Sequence, residues 1–393
     1  MRALFAVLAL IGAAMYNVNA TAQTEILKIG YLELKDDARY AYRRPYAGIQ
    51  VRTVARPFAG AELAVKGSRI QGRAVGVAFE LVRYEGKSAD DLATAVARMH
   101  AEDGVDFFLT DLSAGVLTEV ARGNRDQVLL LNVSERSDAL RSADCQPHVL
   151  HAIPSYAMLS DALAQYIISK KWREVFMLTG SAPEDDAFAQ AFRRSAKRLG
   201  ADIVASKDFI LSNDPRERDK TNIALMTAGE DYDVVFLADS DGEFGRYVPY
   251  ETSQPRPVIG TEGLVADAWY WAWERHGAPQ LNQRFDKAAG RFMEDIDWAA
   301  WVSVKVIVEA LVRTRSSDFE TLKSYILGDE LTLDGYKGSP LNFRPWNKQL
   351  RQPILLHTHN AVLERAPIRG FLHASNNLDT LGLDQAESQC RSD

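Results

Sequence analysis

Short apolar runs rich in β-branched and aromatic residues alternate along the chain with longer amphipathic stretches, beginning at Ile26. Such alternation predicts βαβ units, in which parallel strands are covered by helices on both faces. A first strand is expected over Ile26 to Leu34, a helix starting within Gly60 to Gly67, and a second strand over Val75 to Tyr84. Ser88 and Asp91 open a further helix whose Leu92, Ala95, Val96 and Met99 share one face, and Gly104 closes it. Val105 to Leu109 and Val128 to Val133 are continuous apolar runs, as expected of strands buried on both faces.

A second set begins at Ser155, an N-cap for a helix with Met158, Leu159, Ala162, Leu163, Tyr166 and Ile167 in one stripe. Strands are expected at Val175 to Thr179, Asp202 to Leu211, Asp233 to Ala238 and Pro257 to Gly260. Between the first two lies a helix carrying Phe188, Ala191, Phe192 and Leu199, stopped by Gly200. Asp297 to Thr314 reads as a long helix, Ser317 with Glu320 as the capping box of another, and Pro353 to Val362 as a late strand. Two sets of this size predict an α/β fold of two doubly wound lobes. No low-complexity linker separates them, so the lobes should be joined by a hinge of several crossovers.

Composition agrees with two domains: 393 residues, 47% hydrophobic and 25% charged, exclude a disordered chain and a disulfide-dense miniprotein. The net charge of -7 argues against general affinity for nucleic acid or anionic membrane, so any anion site has to be a local basic cluster. Residues 1–22 read as a leader: Arg2 is the only charge before Glu25, Ala3 to Met15 is almost wholly apolar, and Ala20-Thr21-Ala22 supplies small residues for cleavage after Ala22. An uncleaved anchor helix is the alternative, for which the apolar run is short. The two cysteines, Cys145 and Cys390, share no metal-ligand spacing. In an exported protein they are expected to form a disulfide that ties the tail to the body, two unpaired buried thiols being the alternative.

Gly60 to Val65, Gly72-Arg73 leading into Phe79 to Val82, and Asp103 to Asp106 resemble the first lobe of the leucine/isoleucine/valine-type periplasmic binding proteins of ABC transporters. Asp334 to Gly338 followed by Phe343 is similar to the turn before that family's last strands. A narrower set looks like the branch associated with pyrroloquinoline quinone-dependent alcohol oxidation. It comprises Tyr31 to Leu34, Arg43-Arg44, His151 to Ser155, Trp269 to Glu274 with Gly277 to Asn282, Phe343 to Trp346 and Leu378 to Gly382. The resemblance implies a type I periplasmic binding protein fold with a leader at 1–22, a first lobe of 23–152 plus 267–338 and a second lobe of 153–266 plus 339–393. It further implies a monomer that hands a small ligand to an ABC permease in the inner membrane. No cofactor is required, and pyrroloquinoline quinone is the ligand suggested by association. Two departures stand against carrying over the amino-acid site whole: the long arginine-rich loop Lys35 to Pro57, and Thr110-Asp111 where glycine is common.

In open α/β sheets ligands sit beyond the carboxyl ends of the strands. That selects the loops around Asp36 to Tyr46, Thr110 to Ser113, Asn132 to Arg136, Thr179 to Ser181, Asp239 to Asp241 and Thr261-Glu262. Residues 36–56 hold Arg39, Arg43, Arg44, Arg52 and Arg56 against Asp36 and Asp37, a local excess of positive charge in an acidic chain. Guanidinium forks bind carboxylates in bidentate fashion, so Arg43 and Arg44, with Arg39 in reserve, are the candidates for an anionic ligand; a solvated loop with surface pairs is the bland alternative. Tyr40, Tyr156 or Trp269 could cover a planar ligand's face, Ser113 and Ser134 could supply hydrogen bonds, and Asp111, Asp239 and Glu262 complete the candidate wall. Trp271 and Trp273 read as packing residues, as do Trp298 and Trp301.

Enzyme signatures are weak. His148 with His151, and His357 with His359, lack third and fourth ligands, and there is no G-x-S-x-G elbow, Walker A loop or G-x-G-x-x-G after the first strand. A binding protein without turnover is therefore the expected class. Binding of a branched-chain amino acid, or a sensor or accessory role beside a quinone-dependent alcohol dehydrogenase, are the alternatives, and an exported enzyme ranks below them.

Overall fold

The computed structural model describes residues 25–41, 55–125 and 127–390. The leader, Arg43, Arg44 and Arg52 lie outside the described residues. Two sheets organise the chain. The first is wholly parallel, in the order β2-β1-β3-β4-β5, from β1 (Glu25–Leu34), β2 (Val77–Gly86), β3 (Phe107–Asp111), β4 (Leu129–Asn132) and β5 (Val149–His151). Helices α1 (Phe58–Gly67), α2 (Arg69–Ala74), α3 (Ala89–Asp103) and α4 (Ala114–Gly123) connect its strands. Ser88 caps α3 by accepting from the Asp91 amide, and Gly104 ends it at φ 67°, a left-handed conformation that glycine adopts without strain. Strand β3 is buried along its whole length, which explains its lack of polar alternation.

The second sheet begins after α5 (Tyr156–Ser169), whose N-cap Ser155 accepts from the Met158 amide. It contains β6 (Glu174–Thr179), β7 (Asp202–Asp208), β8 (Val234–Ala238), β9 (Val258–Gly260) and β10 (Leu264–Asp267) in parallel. Between them lie α6 (Pro183–Leu199) and the one-turn helices α7 (Arg218–Thr221), α8 (Ile223–Met226) and α9 (Val248–Glu251). After Asp267 the chain returns to the core of the first sheet with α10 (Ala278–Ala289), α11 (Asp295–Thr314) and α12 (Phe319–Leu327). It then forms a small antiparallel sheet of β11 (Leu333–Asp334), β12 (Pro340–Phe343) and β13 (Leu350–Arg351). The chain finishes the second sheet with the hairpin β14 (Ile354–His357) and β15 (Val362–Ala366), giving the order β15-β14-β10-β9-β8-β6-β7.

Several expectations shift. The late strand Pro353 to Val362 is a hairpin, because the turn after His357 reverses the chain before Val362. Helix α12 is capped by Asp318, which accepts from the Thr321 amide, so the cap lies one residue beyond Ser317. Trp269 to Glu274 forms turns and extended chain, and α10 starts at Ala278. Strands β5 and β10 were not anticipated: at three and four residues they are too short to show a period.

Three passages of chain cross between the two sheets: after β5, after β10, and through the small sheet into β14. Buried polar side chains lace these crossings together. Gln349 donates to the carbonyls of His151 (3.0 Å) and Ile153 (3.1 Å) and accepts from Arg141 (3.0 Å), while Gln352 donates to Ala152 O (2.6 Å). Lys337 Nζ donates to Gln352 (2.6 Å) and lies 3.6 Å from the centre of the Trp298 ring; burial pushes its pKa well below the usual lysine value. Backbone at a crossing cannot pair within a sheet, so side-chain amides satisfy it. Cys145 and Cys390 are joined, with Cα atoms 5.7 Å apart.

Candidate ligand-binding cleft

Because the first sheet is parallel and β6 to β10 of the second run parallel to one another, the carboxyl ends of these strands place the following loops along one edge of each sheet. On the first lobe these loops meet at Asp111, the last residue of β3, which is fully buried. Its carboxylate accepts from Tyr40 Oη (2.7 Å), Arg39 Nη2 (3.1 Å) and Arg56 Nη1 (3.2 Å). Arg39 also grips Asp37 through Nε (3.0 and 3.1 Å) and Nη2 (2.6 Å), and donates from Nη1 to Ser134 Oγ (2.9 Å). Glu33, equally buried, receives Arg83 at 2.6 Å and Arg56 at 3.5 Å. Burial raises the Asp37 carboxyl's pKa, but the Arg39 contacts outweigh it and hold the net value below the usual range. Burial, reinforced by the Asp111 charge, pushes the Tyr40 phenol up.

This wall is close to charge-neutral. Three guanidinium groups, those of Arg39, Arg56 and Arg83, are matched by Glu33, Asp37 and Asp111. The expected local excess of positive charge is thus met by the chain's own carboxylates as far as the described residues go. Arg39 is committed to internal partners.

The loop after β4 is equally fixed. Asn132 Oδ1 accepts from the amides of Ser134 (3.3 Å) and Glu135 (2.9 Å), and its Nδ2 donates to Glu135 O (2.8 Å). Ser113 is the N-cap of α4 but makes no cap bond through its side chain. Glu135 supplies that function instead, accepting from the Ala114 amide at 3.0 Å and from the Ser137 amide at 2.8 Å.

Tyr156, the first residue of α5, stands where the lobes meet. Its ring lies 5.8 Å from that of Phe188, and its phenol is shifted up by burial, with Arg136 pulling the other way and Glu135, Glu184 and Asp185 pushing further. Its amide donates to Arg136 O (3.1 Å) in the loop after β4 of the first sheet, whereas Phe188 belongs to α6 of the second lobe, so both lobes reach this residue. On the second lobe Asp239 accepts from the Gly242 (3.1 Å) and Gly245 (2.6 Å) amides and organises the loop after β8. Asp185 accepts from the Ser240 amide at 2.6 Å, and burial pushes its pKa up to about 6. Glu262 lines a cavity of about 430 Å³ whose walls all belong to the second lobe.

One expected residue falls elsewhere. Trp269 is 1% exposed, stacks on Trp298 with centroids 6.1 Å apart and donates to Asn282 Oδ1 at 2.9 Å. It is a core residue of the first lobe and presents no face to a ligand, because the non-helical segment after β10 folds its indole inward. Arg39, Tyr40, Asp111, Ser134 and Arg56 come together in one cluster; Tyr156 and Asp239 flank the second lobe's side. Glu33 and Asp185 were not anticipated there, and Asp37, Arg56 and Glu135, which lie within the segments weighed above, were not singled out as site residues. The usable signal was that Glu33 stands at the end of the first predicted strand and Asp185 in the first turn of a predicted helix.

The histidines serve other contacts. His151 bonds Asn132 (3.0 Å), His148 bonds Ala121 O (3.0 Å) and His357 pairs with Asp267 (2.9 Å). Among the described residues no group of three or more His, Cys, Asp or Glu side chains is placed to hold a metal ion.

Residues 51–244 match the profile of the family described as periplasmic binding protein. No curated protein matches the chain. Among solved structures, a branched-chain amino acid ABC transporter periplasmic ligand-binding protein from Burkholderia xenovorans LB400 superposes with TM-score 0.71 at 14% identity, over 93% of this chain and 99% of that one. An ABC transporter substrate-binding protein from Desulfitobacterium hafniense, in complex with Leu, gives 0.64 at 17% identity, covering 86% and 99%. A solute-binding protein of an ABC transporter from Rhodopseudomonas palustris BisB5, in complex with 3,4-dihydroxybenzoic acid, gives 0.61 at 13%, covering 85% and 93%. The chain has the two-lobed α/β fold of the periplasmic binding proteins.

Proposed function

We propose that the chain is the substrate-binding component of an ABC import system, working in the periplasm as a monomer. It closes on a small carboxylated ligand between its lobes and passes it to a membrane permease without chemical turnover. The observation that carries this reading is that Tyr156 joins the loop after β4, through its amide to Arg136 O (3.1 Å), to Phe188 of α6 in the second lobe, ring to ring at 5.8 Å, beside a hinge of three crossings. Support comes also from the matched family and from neighbours that are ABC transporter binding proteins.

For the ligand we propose pyrroloquinoline quinone, a planar tricycle with three carboxylates. Its carboxylates go in this reading to Arg43 and Arg44, since Arg39 is already engaged with Asp37 and Asp111, and Tyr40 and Tyr156 are our choice of rings to cover its plane. A branched-chain amino acid is the second reading, favoured by the likeness to the amino-acid binders and by a cleft that carries both guanidinium and carboxylate groups. Titration with the quinone and with leucine, repeated on Arg43→Ala and Arg44→Ala, separates them. Quinone binding at submicromolar concentration that weakens in both variants supports the first; leucine binding alone supports the second. Saturable binding of neither, with a substrate consumed instead, would overturn the class.

A further inference from the structure

The open cavity that Glu262 lines is formed by the second lobe alone and has the size of a small-molecule site, about 430 Å³. Tyr166 and Trp172, in edge contact with centroids 6.1 Å apart, line it together with Tyr250 and Ile259. Tyr250 is 86% exposed, an unusual position for an aromatic ring. Arg246 lines this cavity and also a neighbouring one of about 330 Å³. Its guanidinium lies over the Tyr247 ring at 4.7 Å, and its Nε is buried with no hydrogen-bond partner among the described residues. A buried guanidinium donor left unpaired is costly unless something supplies an acceptor.

We propose that this cavity is a second binding site, separate from the interlobe cleft, for a small aromatic monocarboxylate. The aromatic walls accept a planar ring, and Arg246 takes its carboxylate through a charge-assisted pair. Glu262 in the same cavity selects against further negative charges, so a tricarboxylate that suits the cleft is repelled here. Occupation requires no lobe closure, because no wall belongs to the first lobe.

The test is calorimetric titration of the protein with benzoate and, as a non-aromatic match, cyclohexanecarboxylate. The proposal expects benzoate to bind more tightly than cyclohexanecarboxylate, Arg246→Ala to weaken benzoate at least tenfold and Tyr250→Ala several-fold, and Arg43→Ala to leave it unchanged. The exposure of Tyr250 makes its variant a fold-neutral control should Arg246→Ala prove unstable. Absence of benzoate binding, or binding indifferent to both second-lobe substitutions, overturns the proposal. Benzoate binding that weakens on Arg43→Ala instead places the acid in the interlobe cleft, which overturns this site while leaving the proposed function standing.

Discussion

Asp111 shows how much one residue holds. It is fully buried and shared by two guanidinium groups and two phenols. Replacing it with asparagine leaves Arg39 and Arg56 short of a counter-charge, and breaking a buried ionic cluster from one side costs about 3 kcal/mol or more. Denaturant unfolding of Asp111→Asn should show that loss, and retention of full stability would mean the cluster is solvent-relaxed. Glu294 is a second case. Burial and the charges of Asp297 and Asp267 raise its pKa from 4.5 to about 7. A carboxyl whose folded pKa lies above its unfolded one contributes stability that is complete below the unfolded value and is lost as pH rises through the folded value. Glu294→Gln removes that loss, so relative to the parent it should gain up to about 3 kcal/mol between pH 5 and 8. Melting curves across that range check it, and a pH-independent difference would contradict the shift. The sequence marked Arg39, Tyr40, Asp111 and Ser134 as neighbours through strand-end position alone. It could not show that Arg39 is spent on Asp37 and Asp111, because charge pairing depends on loop geometry.

At the scale of elements, periodicity served best where elements are long. Helix α3, with its Ser88 cap and Gly104 stop, was legible because capping chemistry and apolar spacing agree. The indoles after β10 were not: three tryptophans within five residues suit a helix or turns equally, and packing against α10 and α11 decided the outcome. Helix contacts also explain a glycine that looked like a helix start. A Cβ at Gly60 would fall 2.0 Å from the Asp297 carbonyl oxygen, so α1 and α11 touch through backbone. Gly60→Ala is expected to cost about 3 kcal/mol by overpacking, despite alanine's better helix propensity. A variant as stable as the parent would show that α1 can shift away from α11.

At the scale of the molecule, the tail links the lobes a further time. Gly382 donates to Asp161 of α5, Leu383 O accepts from Arg344 and Asn347, Ser388 reaches Arg141 O, and Cys390 joins Cys145 between β4 and β5. The bridge closes a span of 245 residues, and its loss in Cys390→Ser should lower stability by about 2 to 5 kcal/mol, measurable by denaturant unfolding. Titration of the denatured, unreduced parent should find no reactive thiol at either cysteine. The alternation of strands and helices revealed two lobes because burial on both faces of parallel sheets imprints continuous apolar runs, whereas the ligand is chosen by a handful of loop side chains that leave no period. The proposed function requires these lobes to close on a small ligand. Small-angle X-ray scattering of the protein with and without a saturating ligand, identified by the titrations with the quinone and leucine, tests it most directly. A smaller radius of gyration is expected in the bound state, reversed when ligand is removed; saturable binding with an unchanged scattering curve would rule out closure.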